Sequence, residues 1–425
     1  MLYPKNGTEK LDMELFRNPT SEYRAAPFWA WNCELDPELL KKEIDYMNEM
    51  GFGGFMMHSR VGMATPYLSE EYMDLVRTCI EKGKQNGMLA WLYDEDKWPS
   101  GFAGGFNTKD VENRQKALFI TGIPYNDGSL VTESDKAHAT DKLPTTKYYF
   151  VACFDVLLDS EARLVSYKRI ALADETPEGH EKWFAYMEYA APSPYYNNQA
   201  YCDTLQKGVI DNFIKLTHDA YKKHFSEDFG GAIPAIFTDE PNFRTKKPLN
   251  FAADKHGIII PYTTDFEETF KAAYGVSIED NLPVLVWEPA DGVPSQIRYW
   301  YHDHVAERFA EAFADTVGKW CEDNGILMTG HLLNEPSLES QTICVGDAMR
   351  SYRGFTLPGI DMLCDHHELN TAKQAQSAAH QYGRPGVASE LYGVTNWTFD
   401  FRGHKLQGDW QAALGVTCRV PHLFW

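Results

Sequence analysis

The 425-residue chain contains no long uninterrupted apolar run. Its first residues, MLYPKNGTEKLDMELF, mix charges with single apolar side chains and lack the apolar centre of a secretory signal; no later stretch is long enough to span a bilayer. A soluble protein with no membrane partner is expected. Basic residues are scarce: 40 Lys and Arg against 61 Asp and Glu give a formal charge of -21, without a basic run to neutralise a phosphate backbone, which argues against nucleic acid as a partner. The eight cysteines (Cys33, Cys79, Cys153, Cys202, Cys321, Cys344, Cys364 and Cys418) never fall in a CxxC spacing, so neither a zinc knuckle nor a disulfide scaffold is indicated. Reduced, mostly buried thiols in a cytoplasmic protein are expected. The bias of a fibre or a disordered tail is missing too, with 44% hydrophobic and 24% charged residues beside 31 Gly and 22 Pro.

What is present is length and aromatic mass. At roughly 150 residues per domain the chain makes about three domains, or one large barrel with insertions. Aromatic residues reach 14%, with 11 Trp and 23 Tyr. Most of that surplus is accounted for by a large core, and part of it is available as a platform for sugar rings, whose C–H faces stack on indole and phenol.

Short apolar runs alternate with segments of helical spacing, the pattern of an α/β protein with a parallel sheet. Strands are expected at 27–32 (PFWAWN), 53–58, 88–94, 233–238, 326–331, 359–365, 386–391 and 418–425. Asp36 and Pro37 open a first helix carrying Leu40, Ile44 and Met47 on one face; Ser69 caps a second that Gly87 stops. Further helices are expected at 208–225, at 302–324, at 371–382 and near 405–415. Eight strands, each but the last followed by a helix, make a (β/α)8 TIM barrel. The rhythm breaks over 107–205, where KALFITGI, TKYYFVACFDVLL, ARLVSYKRIALA and KWFAYMEYA are β-rich runs separated by NDG, DSE and TPEG turns. The expected organisation is therefore a first barrel part at 1–106, an inserted β-rich subdomain at 107–205, and a second barrel part at 206–425 with a further insertion at about 241–300. No helix follows the eighth strand, and a homo-oligomer or the inserted subdomain would cover the flank left bare.

In such a barrel the chemistry sits where strands end at the C-terminal face. The polar residues there are Asn32; His58 and Arg60; Asp94, Glu95 and Asp96; Asp239 and Glu240; His331, Asn334 and Glu335; Asp365, His366, His367 and Glu368; Glu390 and Tyr392; and His422. Facing carboxylates with aromatic neighbours are what glycosidic bond cleavage needs, one acid to protonate the leaving oxygen and one carboxylate to attack or to activate water. Glu240 and Glu390, directly after strands four and seven, fit best.

Carboxylates at the ends of strands four and seven resemble the pattern of the large clan A of glycoside hydrolases. Over most of its length outside the β-rich insertion the chain also resembles glycoside hydrolase family 106, the α-L-rhamnosidase-like enzymes. That resemblance rests on PFWAWN (27–32), GFGGFMMHSR (51–60), WLYDEDKWPSGFAGG (91–105), TDEPNF (238–243) and FKAAYGVSIEDNLPVL (270–285). The resemblance implies Glu240 as general acid, Glu390 as nucleophile or base, and a rhamnose-type sugar. No cofactor is required by that chemistry, while family 106 implies calcium at Asp94, Glu95 and Asp96. The chain departs from clan A in having Asp239-Glu240 where Asn-Glu is usual. Asn334-Glu335-Pro336 instead follows strand five, which makes Glu335 a rival to either catalytic carboxylate. Clan A enzymes retain anomeric configuration and family 106 enzymes invert it; carboxylate gaps of about 5–5.5 Å and about 6.5–9.5 Å separate the two.

Sugar hydroxyls are expected to bind His58, Asp94, Asp96, Asp239, His331, Asn334, Glu335 and His366, and sugar faces to stack on Trp98, Tyr392, Trp397 or Trp425. Two other readings stay open. A metal-dependent hydrolase would use the strand-end histidines, although strand one carries no HxH. A non-catalytic carbohydrate-binding barrel would bind sugar without releasing reducing ends. Gly101, Gly104 and Gly105 lack Walker spacing and read as a cavity wall. The -21 charge favours a neutral glycan as substrate.

Overall fold

The run at 27–32 forms strand β1 (Phe28–Trp31), and Asp36 caps the next helix, Pro37–Glu49, by accepting from the Leu39 N–H. Leu40, Ile44 and Met47 are its buried face. Strand β2 (Gly54–Ser59) leads through the Ser69 cap into helix Glu70–Asn86, which ends at Gly87 in the left-handed conformation, and β3 (Leu89–Tyr93) follows. The computed structural model describes residues 2–3, 9–124 and 148–425; the expected NDG turn at 126–128 lies outside them.

After β3 the chain builds β4 (Lys116–Thr121), β5 (Tyr148–Leu158), β6 (Leu164–Ile170) and β7 (Glu181–Tyr189). It returns to the barrel with β8 (Ala235–Asp239), leaves again for β9 (Ile258–Pro261), and finishes with β10 (Leu327–His331), β11 (Leu357–Met362), β12 (Ala388–Leu391) and β13 (Cys418–Pro421). The eight parallel strands run in the order β1-β2-β3-β8-β10-β11-β12-β13. Closure is made just beyond β13, where Phe424 donates to the Phe28 carbonyl at 2.7 Å and accepts from the Ala30 N–H at 2.9 Å. The protein is thus a (β/α)8 barrel carrying an inserted sheet. Gly330 on β10 permits close strand approach, since a Cβ there would lie 1.8 Å from the Thr238 carbonyl oxygen.

The second sheet is antiparallel, in the order β6-β5-β7-β4-β9. Its edge strand β9 comes from the 241–300 segment, so both interruptions of the barrel meet in one sheet. Two helices differ from the expected spans. The 208–225 segment is two helices, Lys207–Leu216 and His218–Phe225, divided at Thr217, whose hydroxyl donates to the Phe213 carbonyl at 3.0 Å and competes with the helical ladder. The helix expected at 302–324 begins earlier, at Gln296 after a Ser295 cap, and passes through a π-helical turn at Ala310–Asp315.

A buried ion pair joins β4 to the segments beside it. The Lys116 ammonium donates to Asp203 at 3.1 Å and to the Glu112 carbonyl at 2.6 Å, and Thr263 donates to the same Asp203 oxygen at 2.6 Å. Both charged side chains are essentially inaccessible to water. Removing one partner strands the other in a low-dielectric interior, a loss of about 3–5 kcal/mol. Lys116→Met is therefore expected to lower the unfolding midpoint clearly in thermal or urea denaturation; an unchanged midpoint would contradict this reading of the pair.

Candidate active site

Side chains alternate along a strand, so each barrel strand presents every second residue to the interior. Ala235 and Phe237 of β8, Leu357 of β11, Ala388 of β12, Met56 of β2 and Trp91 of β3 belong to one apolar plug. The inward positions above that plug are polar: Asp239, Asp361, Glu390 and His58, joined by His331 from β10. Strand register sets them in pairs, Asp239 beside His331 and Asp361 beside Glu390. Imidazole Nε2 of His331 lies 3.2 Å from Asp239 and 3.9 Å from Asp361, and its Nδ1 lies 3.8 Å from Glu390. His422, beyond β13, reaches within 3.9 Å of Glu390. Glu240, directly after β8, has a φ of +47°, a left-handed conformation costing a non-glycine residue about 1–2 kcal/mol. Such strain is commonly kept where a side chain must be aimed.

Four acids around one histidine dictate the charges. Burial alone would push His331 down; the hydrogen bond to Asp239, with the charges of Asp361, Asp239 and Glu390, holds it well above the ordinary imidazole range. Burial likewise opposes ionisation of Asp239, but His331 and the Tyr93 hydroxyl, which donates at 2.6 Å, keep it below the usual carboxylate range. Burial and the neighbouring negative charges push Glu240 and Asp361 up to about 7, against the pull of His331, and lift Glu390 well above its ordinary value. The result is an ion pair, His331 with Asp239, surrounded by carboxyls that hold protons near neutral pH.

The other expected site residues fall in several places. His58, pushed down to about 3 mainly by burial, is neutral; its Nε2 accepts from Arg60 at 3.0 Å, and its ring packs on Phe28 and Tyr93. Trp98 lies at the mouth, its indole facing the Arg60 guanidinium and its carbonyl accepting from Tyr195. Glu335 is buried behind β11, its carboxylate accepting from Tyr352 at 2.7 Å and from the Leu332 and Asp361 N–H groups. It holds the end of β11 in place. Asn334 is exposed and donates to Cys344 Sγ. His366 is exposed, Trp397 is fully exposed, and Tyr392 packs on His404 while donating to its carbonyl.

The acidic run after β3 divides its partners. Asp94 accepts from Ser100, and Asp96 from Asn197. Glu95 accepts four backbone N–H groups, from Asp96, Gly101, Ala103 and Gly104, and so folds the WPSGFAGG loop around itself. Donors pointing at both oxygens of Glu95 do not fit a calcium ion, which needs six to eight oxygen ligands aimed at one point. Among the described residues, the groups with metal-ligand spacing are Asp239, His331 and Glu390, and Glu240, His331 and Asp361. Asp361 was not singled out from the sequence: the sixth strand, expected at 359–365, directs attention to Asp365, whereas β11 ends at Met362 and makes Asp361 its last inward residue.

No protein-family model matches the chain, and no curated protein matches it. Solved structures do. A (β/α)8 barrel with an acid and histidine cluster at its strand ends is a common enzyme plan, and the likeness is to a glycoside hydrolase, the rhamnosidase from Novosphingobium sp. PP1Y. That structure has a TM-score of 0.65 at 12% identity, over 97% of this chain and 56% of that one. A chitobiase from Flavobacterium johnsoniae has a TM-score of 0.38 at 9% identity, over 95% of this chain and 44% of that one. The beta-glycosidase BGL167 has a TM-score of 0.36 at 8% identity, over 95% and 86% of the two chains. At such identities the likeness to the rhamnosidase is one of fold, and the chain spans little more than half of that protein's length. Among the described residues, no helix is long and apolar enough to cross a membrane.

The ion pair gives the site a stability signature. Asp239, held below its reference value of 3.8, contributes stability present above that pH and lost as pH falls. His331, held above its reference value of 6.5, contributes stability present below that pH and lost as pH rises through its folded value. Asp239→Asn is expected to lower the unfolding midpoint most between about pH 4 and 6.5, with a smaller deficit on either side. A deficit independent of pH would show that the pair is not ionised.

Proposed function

We propose that the chain is a glycoside hydrolase that removes a terminal sugar, with a rhamnose-type sugar as first candidate, from an oligosaccharide or glycoside. The observation carrying this reading is that Glu240, directly after the fourth barrel strand, and Glu390, on the seventh, both converge on His331 in one cluster with Asp239 and Asp361. Glu240 titrates near 7 and carries no side-chain hydrogen bond to a described residue, so its proton is available to a leaving oxygen and recoverable afterwards. Glu390 is the nucleophile or the base, a role that requires it to give up the proton that burial and the neighbouring acids favour; the His331 cation, 3.8 Å away, opposes that retention and would face the ionised form. Asp239 and Tyr93 keep His331 charged and oriented. The fold likeness to a rhamnosidase supports this reading.

A second reading, a metal-dependent hydrolase, is favoured by the spacing of Asp239, His331 and Glu390, whose ligand atoms lie within 4.8 Å of one another. It requires His331 to surrender the proton that Asp239 stabilises, because a protonated imidazole has no lone pair for a metal. Elemental analysis of the purified protein separates the two: stoichiometric zinc or a similar ion would favour the metal reading.

The leaving group separates the two carboxylates. Glu240→Gln is expected to lower turnover of alkyl glycosides about 10²–10⁴-fold while sparing activated aryl glycosides, whose leaving oxygen needs no proton. Glu390→Gln is expected to lose both. Full turnover of an alkyl glycoside by Glu240→Gln, or of any glycoside by Glu390→Gln, would sink the assignment, and NMR of the product anomer reports retention or inversion.

A further inference from the structure

Arg60 has no carboxylate partner among the described residues, in a chain with 61 acidic residues and a formal charge of -21. Seven arginines pair with carboxylates, while others, such as Arg24, Arg77 and Arg114, donate to hydroxyl, carbonyl or amide oxygens of the protein. Arg60 instead lends one guanidinium nitrogen to His58 at 3.0 Å and lies 5.0 Å and 5.9 Å from the ring centres of Trp98 and Trp425. It lies beside the acid cluster: it contacts His58, an inward residue of β2, and the charges of Arg60 and Asp239 both act on His422 and on Tyr195.

The surroundings restrict what such a group can bind. Two indoles near the guanidinium lower its contact with water and leave its remaining N–H edges as the donors. A planar fork of N–H donors matches a carboxylate bidentately, and the neighbouring indoles match the C–H face of a pyranose. We propose that Arg60, with Trp98 and Trp425, is a recognition site for the carboxylate of a uronic acid sugar in the substrate. This rests on the glycosidase reading above and deepens it by naming a substrate class. The overall charge, which by itself favours a neutral glycan, is a property of the whole surface and is screened beyond about 8 Å at physiological salt, whereas the Arg60 contact is local.

The test is isothermal titration of glucuronate and galacturonate, each beside its neutral parent sugar, into the wild-type protein, R60Q and R60K. The wild type is expected to bind at least one uronate about tenfold or more tightly than the neutral parent, with the preference falling as salt is raised. R60Q is expected to abolish that preference and R60K to retain part of it. Equal affinity for both uronates and their neutral parents in the wild type, or a preference untouched in R60Q, overturns the proposal. Binding is read without turnover, so the two readings fail separately. A protein that prefers uronates but hydrolyses no glycoside leaves the Arg60 site standing and removes the glycosidase, and hydrolysis without uronate preference does the reverse.

Discussion

One buried cation organises the strand-end cluster. Among the described residues, His331 is the charged base beside Asp239, Glu240, Asp361 and Glu390, and it holds Asp239 ionised while burial and mutual repulsion leave the other three disposed to keep protons. Its position follows from register: Gly330 lets β10 lie close against β8, placing His331 beside Asp239, and the pairing of β11 with β12 places Asp361 beside Glu390. A one-residue slip of any of these strands would turn its polar end toward the helices. Barrel packing and the protonation pattern of the site are therefore one constraint. The apolar plug beneath, with Phe237 and Tyr93 at its upper edge, supplies the desolvation that makes each charge matter.

Much of the barrel was legible because its signals are local. Asp36, Ser69 and Gly87 cap helices as their chemistry requires, and the short apolar runs became strands within two residues of their expected ends, except that β11 stops three residues and β13 four residues early. What the sequence hid depends on contacts between distant segments. Nothing near Ile258 announces that it will edge a sheet begun more than a hundred residues earlier. A π-helical turn at Ala310–Asp315 leaves the apolar stripe nearly intact, and Thr217 divides a helix through its hydroxyl rather than through any break in periodicity.

The site was legible to the same degree. Asp239, Glu240, His331 and Glu390 stand at strand ends and could be gathered by counting strands, whereas Asp361 required the end of β11 to the residue. Strand-end position alone did not separate Glu335 and Glu95 from those four. Glu335 spends both oxygens on Tyr352 and two backbone N–H groups, and Glu95 on four backbone N–H groups. Position names a candidate; the remaining lone pairs decide whether it can meet a substrate.

Function enters through the proton inventory. The proposed glycosidase needs one carboxyl that holds its proton and a second that can ionise, and the cluster supplies acids of graded proton affinity from Asp239 upward, tuned by one imidazolium. The most direct measurement is an NMR titration of the His331 ring in uniformly ¹⁵N-labelled protein, assigned with His331→Gln. The account predicts an imidazolium that persists well above pH 6.5 and is lost earlier in Asp239→Asn. Titration at or below pH 6.5 would contradict it, because a neutral His331 could not keep Asp239 ionised among the neighbouring acids.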